Sequence, residues 1–170
     1  MTMFSLRFKK SQLPFWAARY PAGYDLEVEA IAPRVRKRGY FTRDEFLTLC
    51  HWKTPRSKPR VARNDEAYIR AVTRVALSTP EERLRVEVLT LLDGVRWPTA
   101  SVLLHFGHRE PYPILDYRAL WSLGVEAAQV RYEFGFWQEY VQYCRGLAEE
   151  SNLSMREVDR ALWQYAKEKQ

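Results

Sequence analysis

The stretch VEVLTLLDGVRWPTASVLLHFGHREPYPILDYRALWSLG, residues 86–124, determines the fold that the sequence predicts. Apolar residues recur at helical spacing before its first turn, at Leu84, Val88, Leu91 and Leu92. This pattern stops at Asp93-Gly94, where glycine can adopt the positive φ that ends a helix. Pro98 suits the first turn of a second helix, which has its own apolar stripe. So short a link predicts a helical hairpin.

Two features of this stretch resemble a known family. The hairpin LDGVRWPTA, residues 92–100, resembles the Leu-Pro-Gly-Val-Gly-x-x-Thr-Ala hairpin of the HhH-GPD superfamily of base-excision DNA glycosylases. Asp116 lies 18 positions after Pro98, follows the Pro-containing loop 112–115 and opens a predicted helix, as that family's essential aspartate does. The resemblance covers 39 of the 170 residues. It implies an all-α, HhH-GPD-like fold in which the hairpin and Asp116 line a cleft between two groups of helices.

The resemblance also implies roles for individual residues. In the family, backbone amides of the hairpin hold a DNA phosphate, and the aspartate faces the sugar of a base rotated out of the duplex. These roles fall here on Asp116 and on Gly94, Val95 and Arg96, and Trp97 and Thr99 are the other nucleic-acid-binding candidates of the hairpin. The chain departs from the family twice, because Arg96 replaces the second glycine and Pro98 occupies the position of the Schiff-base lysine. Since proline has no amine nucleophile, the implied activity is monofunctional and excludes strand cleavage by a lyase route.

Composition predicts one soluble helical domain spanning residues 1–170, with no cofactor. No uncharged run approaches the ~20 residues of a membrane span, so no membrane partner is expected. The segment MTMFSLRFKK lacks the apolar core of a secretion signal, which predicts a cytoplasmic protein. Two cysteines, Cys50 and Cys144, cannot supply the four ligands of an iron–sulfur cluster. The three histidines form no metal-ligand motif, so no metal site is expected either.

Local signals predict about seven or eight helices and no strands. Residues 1–23 are expected to form an extended N-terminal arm, and residues 51–60, HWKTPRSKPR, an ordered loop. Pro33 is expected to kink or split the helix over residues 25–38, because proline removes an amide donor. Three capping boxes predict helix starts, at Thr42 with Glu45, Thr79 with Glu82, and Ser154 with Glu157. Either Asn64 or Asp65 is expected to cap another helix.

The chain is basic, with 27 Lys and Arg against 21 Asp and Glu, a net charge of +6 and a pI near 9.4. The first basic cluster consists of Arg34, Arg36, Lys37, Arg38 and Arg43, and the second basic cluster of Lys53, Arg56, Lys58, Arg60 and Arg63. Each cluster is either a solvated surface or a nucleic-acid-binding patch. The second basic cluster supplies the candidate DNA contacts Lys53, Arg56, Lys58 and Arg60.

Asp116 is the candidate catalytic residue. At a helix N-terminus its carboxylate can simply accept an amide hydrogen bond from Arg118 or Ala119. The helix dipole also keeps such a carboxylate ionised. Cleavage of an N-glycosidic bond builds positive charge on the sugar, and a nearby carboxylate can stabilise that charge or orient the attacking water. The capping and catalytic roles are therefore compatible.

The remaining candidates concern a binding pocket. Trp97 is either a stacking partner for a base or ribose or a packed aromatic, and His105 is either a buried imidazole or a general base. The candidate pocket residues are Trp52, His105, Tyr112, Tyr117 and Arg118. The favoured hypothesis is a DNA-binding protein that performs monofunctional base excision on damaged duplex. The alternatives are a non-catalytic nucleic-acid-binding module and a protein-interaction domain that retains the fold.

Overall fold

The computed structural model describes residues 2–170, so Met1, the first residue of the predicted arm, lies outside the described residues. This part of the chain is helical without strands, which confirms the predicted all-α class. Its α-helices are α1 (Leu13–Arg19), α2 (Leu26–Arg38), α3 (Arg43–Lys53), α4 (Lys58–Val61), α5 (Glu66–Ser78), α6 (Glu82–Glu87), α7 (Trp97–Gly107), α8 (Tyr117–Ser122), α9 (Phe134–Ser151) and α10 (Met155–Lys169). These ten exceed the predicted seven or eight because short helices form where an arm or a loop was expected.

The helices form two compact units. The hairpin unit, Ala22–Glu110, contains α2 to α7. The aspartate unit consists of residues 2–21 and Pro111–Gln170 and contains α1, α8, α9 and α10. Across residues 2–170, no helix combines the length and the apolar character that crossing a membrane requires.

In the hairpin unit, α2 continues through Pro33, so the predicted split is wrong. Pro33 lies on the exposed side, whereas Ile31 and Val35 are buried, and this burial stabilises the helix across the missing amide. Gly39 ends α2 with a φ of 88°. The capping box of Thr42 and Glu45 then opens α3, as predicted.

Residues 51–60 contain more helix than the predicted loop. The end of α3 is followed by a 3-10 helix, Pro55–Ser57, and then by α4. Both of these short helices carry a proline in their first turn, where its missing amide costs nothing. The prolines that suggested a loop therefore begin helices instead.

The first arm of the hairpin also differs from the prediction. It consists of α6 followed by a 3-10 helix, Val88–Leu91, and the side chain that caps α6 belongs to Glu81, not to Thr79. Leu84 and Leu91 of the predicted apolar stripe are 43% and 60% exposed. The buried positions are Val86, Leu89 and Leu92, whose three-residue spacing matches the turn of a 3-10 helix.

In the aspartate unit, residues 2–21 are not an extended arm, because α1 forms there and packs along α10. Pro14 lies in the first turn of α1, and Leu13 and Trp16 supply its buried face. One face of α9, which includes Trp137 and Tyr140, is buried. The predicted capping box of Ser154 with Glu157 opens α10.

Candidate functional site

A tight turn joins the two arms of the hairpin. The Val95 amide donates to the Leu92 carbonyl at 3.1 Å, and Gly94 between them has a φ of 78°, as a type II turn requires. A Cβ on Gly94 would lie 2.8 Å from Val61 Cγ1 and 3.0 Å from Arg60 Cβ. Glycine is thus needed both for its backbone conformation and for the close contact with α4. This contact places α4, with its basic side chains, directly against the turn.

Asn64 fixes this turn in place. Its side chain is buried, and its Nδ2 donates to the carbonyl oxygens of Asp93 and Val61, both at 2.9 Å. Its Oδ1 accepts from the Asp93 amide, also at 2.9 Å. The predicted helix cap is provided by Asp65, whose carboxylate accepts from the Tyr68 amide. Asn64 therefore does not cap α5, and its side chain holds the hairpin turn instead. Its position just before the helix did not predict this role.

The N-terminus of α7 follows the turn. Arg96 is its N-cap residue, with a φ of −112°, so its side chain introduces no backbone strain. Its guanidinium is exposed and makes no capping hydrogen bond. Within residues 2–170, no hydrogen bond engages the amides of Gly94 and Arg96. The positive end of the helix dipole thus lies beside two available amides and an exposed cation.

The other hairpin candidates are less accessible. Val95 is buried, and Trp97 is only partly exposed. Thr99 is 4% exposed, and its hydroxyl lies 3.4 Å from the hydroxyl of Thr54. Val95 and Thr99 therefore belong to the interior of the hairpin unit.

Most side chains of the second basic cluster are exposed to solvent. Its exposed members are Arg56, Lys58, Arg60 and Arg63, while Lys53 is partly buried at the end of α3. Among the described residues, none of the four exposed members forms an ion pair. Desolvation and the charge of Lys58 lower the pKa of His51, one turn before the end of α3. The positive charge on this side of the turn is therefore not neutralised.

The first basic cluster is mostly engaged within the hairpin unit. Arg34 and Arg38 both pair with the buried carboxylate of Glu45. Arg36 donates to the His105 carbonyl oxygen at 3.1 Å. Arg43 donates to the carbonyl oxygens at the end of α4, to Ala62 at 2.9 Å and to Asn64 at 3.0 Å. These contacts give the first basic cluster a structural role that was neither of the two predicted alternatives, and within this cluster only Lys37 is an exposed member without such a contact.

Two pocket candidates of the hairpin unit meet around Phe106. The ring of Trp52 lies 5.6 Å from that of Phe106, edge to face, and the His105 ring lies 4.7 Å from it. The Trp52 indole also donates to the Tyr24 carbonyl oxygen at 3.0 Å. His105 is 8% exposed, so its imidazole belongs to the packed interior of the unit.

In the aspartate unit, Asp116 caps α8. Its Oδ1 accepts from the Arg118 amide at 2.8 Å, and the residue is partly exposed, so the side chain serves as the predicted cap while it remains accessible. Burial and the charge of Asp116 raise the pKa of Tyr132, a 53% exposed residue before α9. The charge of the Asp116 carboxylate thus acts on one more aromatic residue, Tyr132. The sequence around Tyr132 has no regular pattern, so it did not predict this interaction.

Three side chains hold the loop that leads to Asp116. Arg145 donates to the Pro111 carbonyl oxygen, and the Tyr140 hydroxyl to that of Ile114, both at 2.7 Å. The buried carboxylate of Asp159 accepts from the Ile114 amide at 3.2 Å. The backbone just before Asp116 is therefore fixed by hydrogen bonds from α9 and α10.

The remaining candidates lie on either side of this loop. Tyr112 is fully buried and stacks on Trp137 at 5.6 Å, so its ring is part of the core of the aspartate unit. Tyr117 is 62% exposed, and its hydroxyl accepts from Arg118 Nε at 3.0 Å. The guanidinium of Arg118 lies over the ring of Trp163.

Comparison with known proteins identifies no relative: the chain matches no family model, no curated protein and no solved structure.

Proposed function

We propose that the protein binds DNA through a hairpin surface formed by the turn at Gly94 and the exposed cations Arg56, Lys58, Arg60 and Arg96. The observation that carries this proposal is the absence of ion-pair partners for these cations among residues 2–170, beside available turn amides. Like charges gathered without counter-charges repel each other, and a phosphate group relieves this repulsion. Amides at a helix N-terminus bind the same group.

The proposal includes a chemical step at Asp116. In hydrolysis of an N-glycosidic bond, the bond from C1′ to the base nitrogen breaks and its electron pair leaves with the base. Water forms the new bond to C1′ and loses a proton, the base nitrogen gains one, and the products are a free base and an abasic sugar. The carboxylate of Asp116 stabilises the positive charge on the sugar and orients the water. Non-catalytic DNA binding is the second candidate, because the hairpin surface alone supports it.

DNA affinity is expected to fall steeply with salt, because each neutralised phosphate contributes a log–log slope of about −0.9. Arg60→Ala removes one proposed phosphate contact, so its slope is expected to be shallower by about 0.9. Arg96→Glu is expected to weaken binding to all sequences alike, since phosphate contacts carry no base information. The measurement is a titration of fluorescently labelled duplexes of different sequence at several salt concentrations.

Lys37→Ala is the matched control for this titration, because it removes the same charge from an exposed position of the first basic cluster. It is expected to leave the slope unchanged. If Lys37→Ala and Arg60→Ala change the salt slope equally, binding depends on the net charge of the protein and not on the hairpin surface. If the unchanged protein fails to bind duplex even at low salt, both nucleic-acid roles are lost and the protein-interaction domain remains.

The pKa of His51 offers an independent test of where the phosphate binds. Desolvation and Lys58 lower this pKa in the free protein. A phosphate at Lys58 cancels the repulsion between the two cations, so the imidazolium is favoured and the pKa is expected to rise in the complex. NMR titration of the imidazole signals with and without duplex measures this shift, and His108, which is 9% exposed, serves as the internal control. A His51 pKa that stays the same in the complex would exclude a phosphate at Lys58.

A further inference from the structure

Two cations of the aspartate unit lie on one indole ring. The Arg118 Cζ and the Lys167 Nζ are each 5.1 Å from the centroid of the Trp163 ring. Arg118 comes from the first turn of α8, and Trp163 and Lys167 come from consecutive turns of α10. These three residues are called the Trp163 surface.

Other cations of the same unit are neutralised by carboxylates. Arg19 pairs with Glu168 at 2.8 Å, and Lys10 pairs with Glu150. Within the described part of the chain, neither Arg118 nor Lys167 has a carboxylate partner. Among the described residues, the one side-chain acceptor of the Arg118 guanidinium is the neutral Tyr117 hydroxyl.

An aromatic ring holds cations without cancelling their charge. The attraction between a cation and the ring face is worth about 0.5–1 kcal/mol at exposed sites, enough to restrict the long side chains. The ring carries no net charge, so both positive charges remain available to an anion. Restricting Arg118 and Lys167 before binding also lowers the entropy cost of contacting that anion. Trp163 therefore orients two cations that are still free to bind a negative partner.

We propose that the Trp163 surface is a second contact site for the phosphodiester backbone of DNA, separate in sequence from the hairpin surface. This inference rests on the proposed function and identifies how the aspartate unit would contact DNA. The backbone amide of Arg118 donates a hydrogen bond to the carboxylate of Asp116. A phosphate held by the guanidinium of Arg118 would therefore be bound by the residue whose backbone amide donates to Asp116. The surface acts by positioning the strand and takes no part in proton transfer.

The test is the double variant Arg118→Ala/Lys167→Ala. It keeps the backbone amide of residue 118, which donates to the capping side chain of Asp116. Its duplex affinity is expected to fall at low salt, and its log–log salt slope to become shallower by about 1.8, which is two phosphate contacts. The matched control is Lys10→Ala/Arg19→Ala, which removes the same charge from the same unit but from cations that are already paired. This control is expected to show the same salt slope as the unchanged protein.

Further outcomes separate this inference from the proposed function. Failure of the unchanged protein to bind duplex would remove both. Binding that depends on Arg60 but keeps its slope in the double variant would overturn the Trp163 surface alone. Labelled poly-glutamate that binds the Trp163 surface in place of duplex would also overturn it and indicate an acidic protein partner. If the double variant loses helical circular dichroism, Lys167→Gln is used instead, with an expected slope change of about 0.9.

Discussion

The Asp116→Asn variant is expected to bind damaged duplex nearly as well as the unchanged protein and to release the damaged base at least about a hundredfold more slowly. The amide oxygen of asparagine can still accept from the Arg118 amide, as Oδ1 of Asp116 does at 2.8 Å, so the cap of α8 is retained. What the variant loses is the negative charge that stabilises the sugar in the transition state. A hundredfold loss is the usual scale for removing one preoriented electrostatic group.

Single-turnover assays on duplexes with alkylated, deaminated or oxidised bases measure this effect. The product is expected to be an intact strand with an abasic site, broken only after alkali or heat, because Pro98 offers no amine for a Schiff base. Asp65→Asn is the matched control, since Asp65 caps α5 with the same hydrogen bond and lies in the other unit. Its rate of base release is expected to be unchanged.

Two results would end the catalytic part of the proposal. If no damaged duplex yields abasic sites with the unchanged protein, only the binding module remains. If Asp116→Asn unfolds while Asp65→Asn is stable, the carboxylate of Asp116 is needed for the structure of the aspartate unit. The place of Asp116 at the start of α8 would then reflect architecture alone.

Local signals predicted two helix starts that depend on neighbouring residues. In the capping boxes at Thr42 and Ser154 the two partners lie three positions apart, so a short stretch of sequence shows both of them. The apolar stripe before the hairpin failed at Leu84 and Leu91 for a physical reason: α6 changes there into a 3-10 helix, and the buried positions repeat every three residues. A helical period of 3.6 therefore selected two exposed positions.

Contacts between distant residues could not be predicted from one sequence. The Asn64 side chain accepts a hydrogen bond from Asp93, 29 positions away, and the Asp159 side chain accepts one from Ile114, 45 positions away. The two basic clusters look alike in the sequence, yet one is neutralised because Glu45 is buried beside its arginines. The charge that matters for the proposed function is thus determined by where the carboxylates and carbonyl oxygens lie in the folded chain.

Gly94→Ala is expected to have the largest effect on stability. A left-handed backbone costs a residue with a Cβ about 1–2 kcal/mol, and the contact with Val61 adds the cost of overpacking, about 1–3 kcal/mol. Gly39→Ala separates the two causes, because Gly39 also has a positive φ of 88° but has nothing within 4 Å of the added Cβ. Equilibrium unfolding in urea is expected to show a larger loss for Gly94→Ala, by about the overpacking term of 1–3 kcal/mol.

The comparison also tests whether α4 braces the turn. The backbone nitrogen of Val61 would lie 3.0 Å from the new Cβ, so the strain at Gly94 cannot be relieved by a side-chain rotation alone. Either the turn or α4 must move, and both carry proposed phosphate contacts. Gly94→Ala is therefore expected to weaken duplex binding under conditions where the variant is still folded, whereas Gly39→Ala is not. Equal losses of unfolding free energy at the two glycines would show that α4 yields freely, and the hairpin surface would then lack the rigid support that its geometry implies.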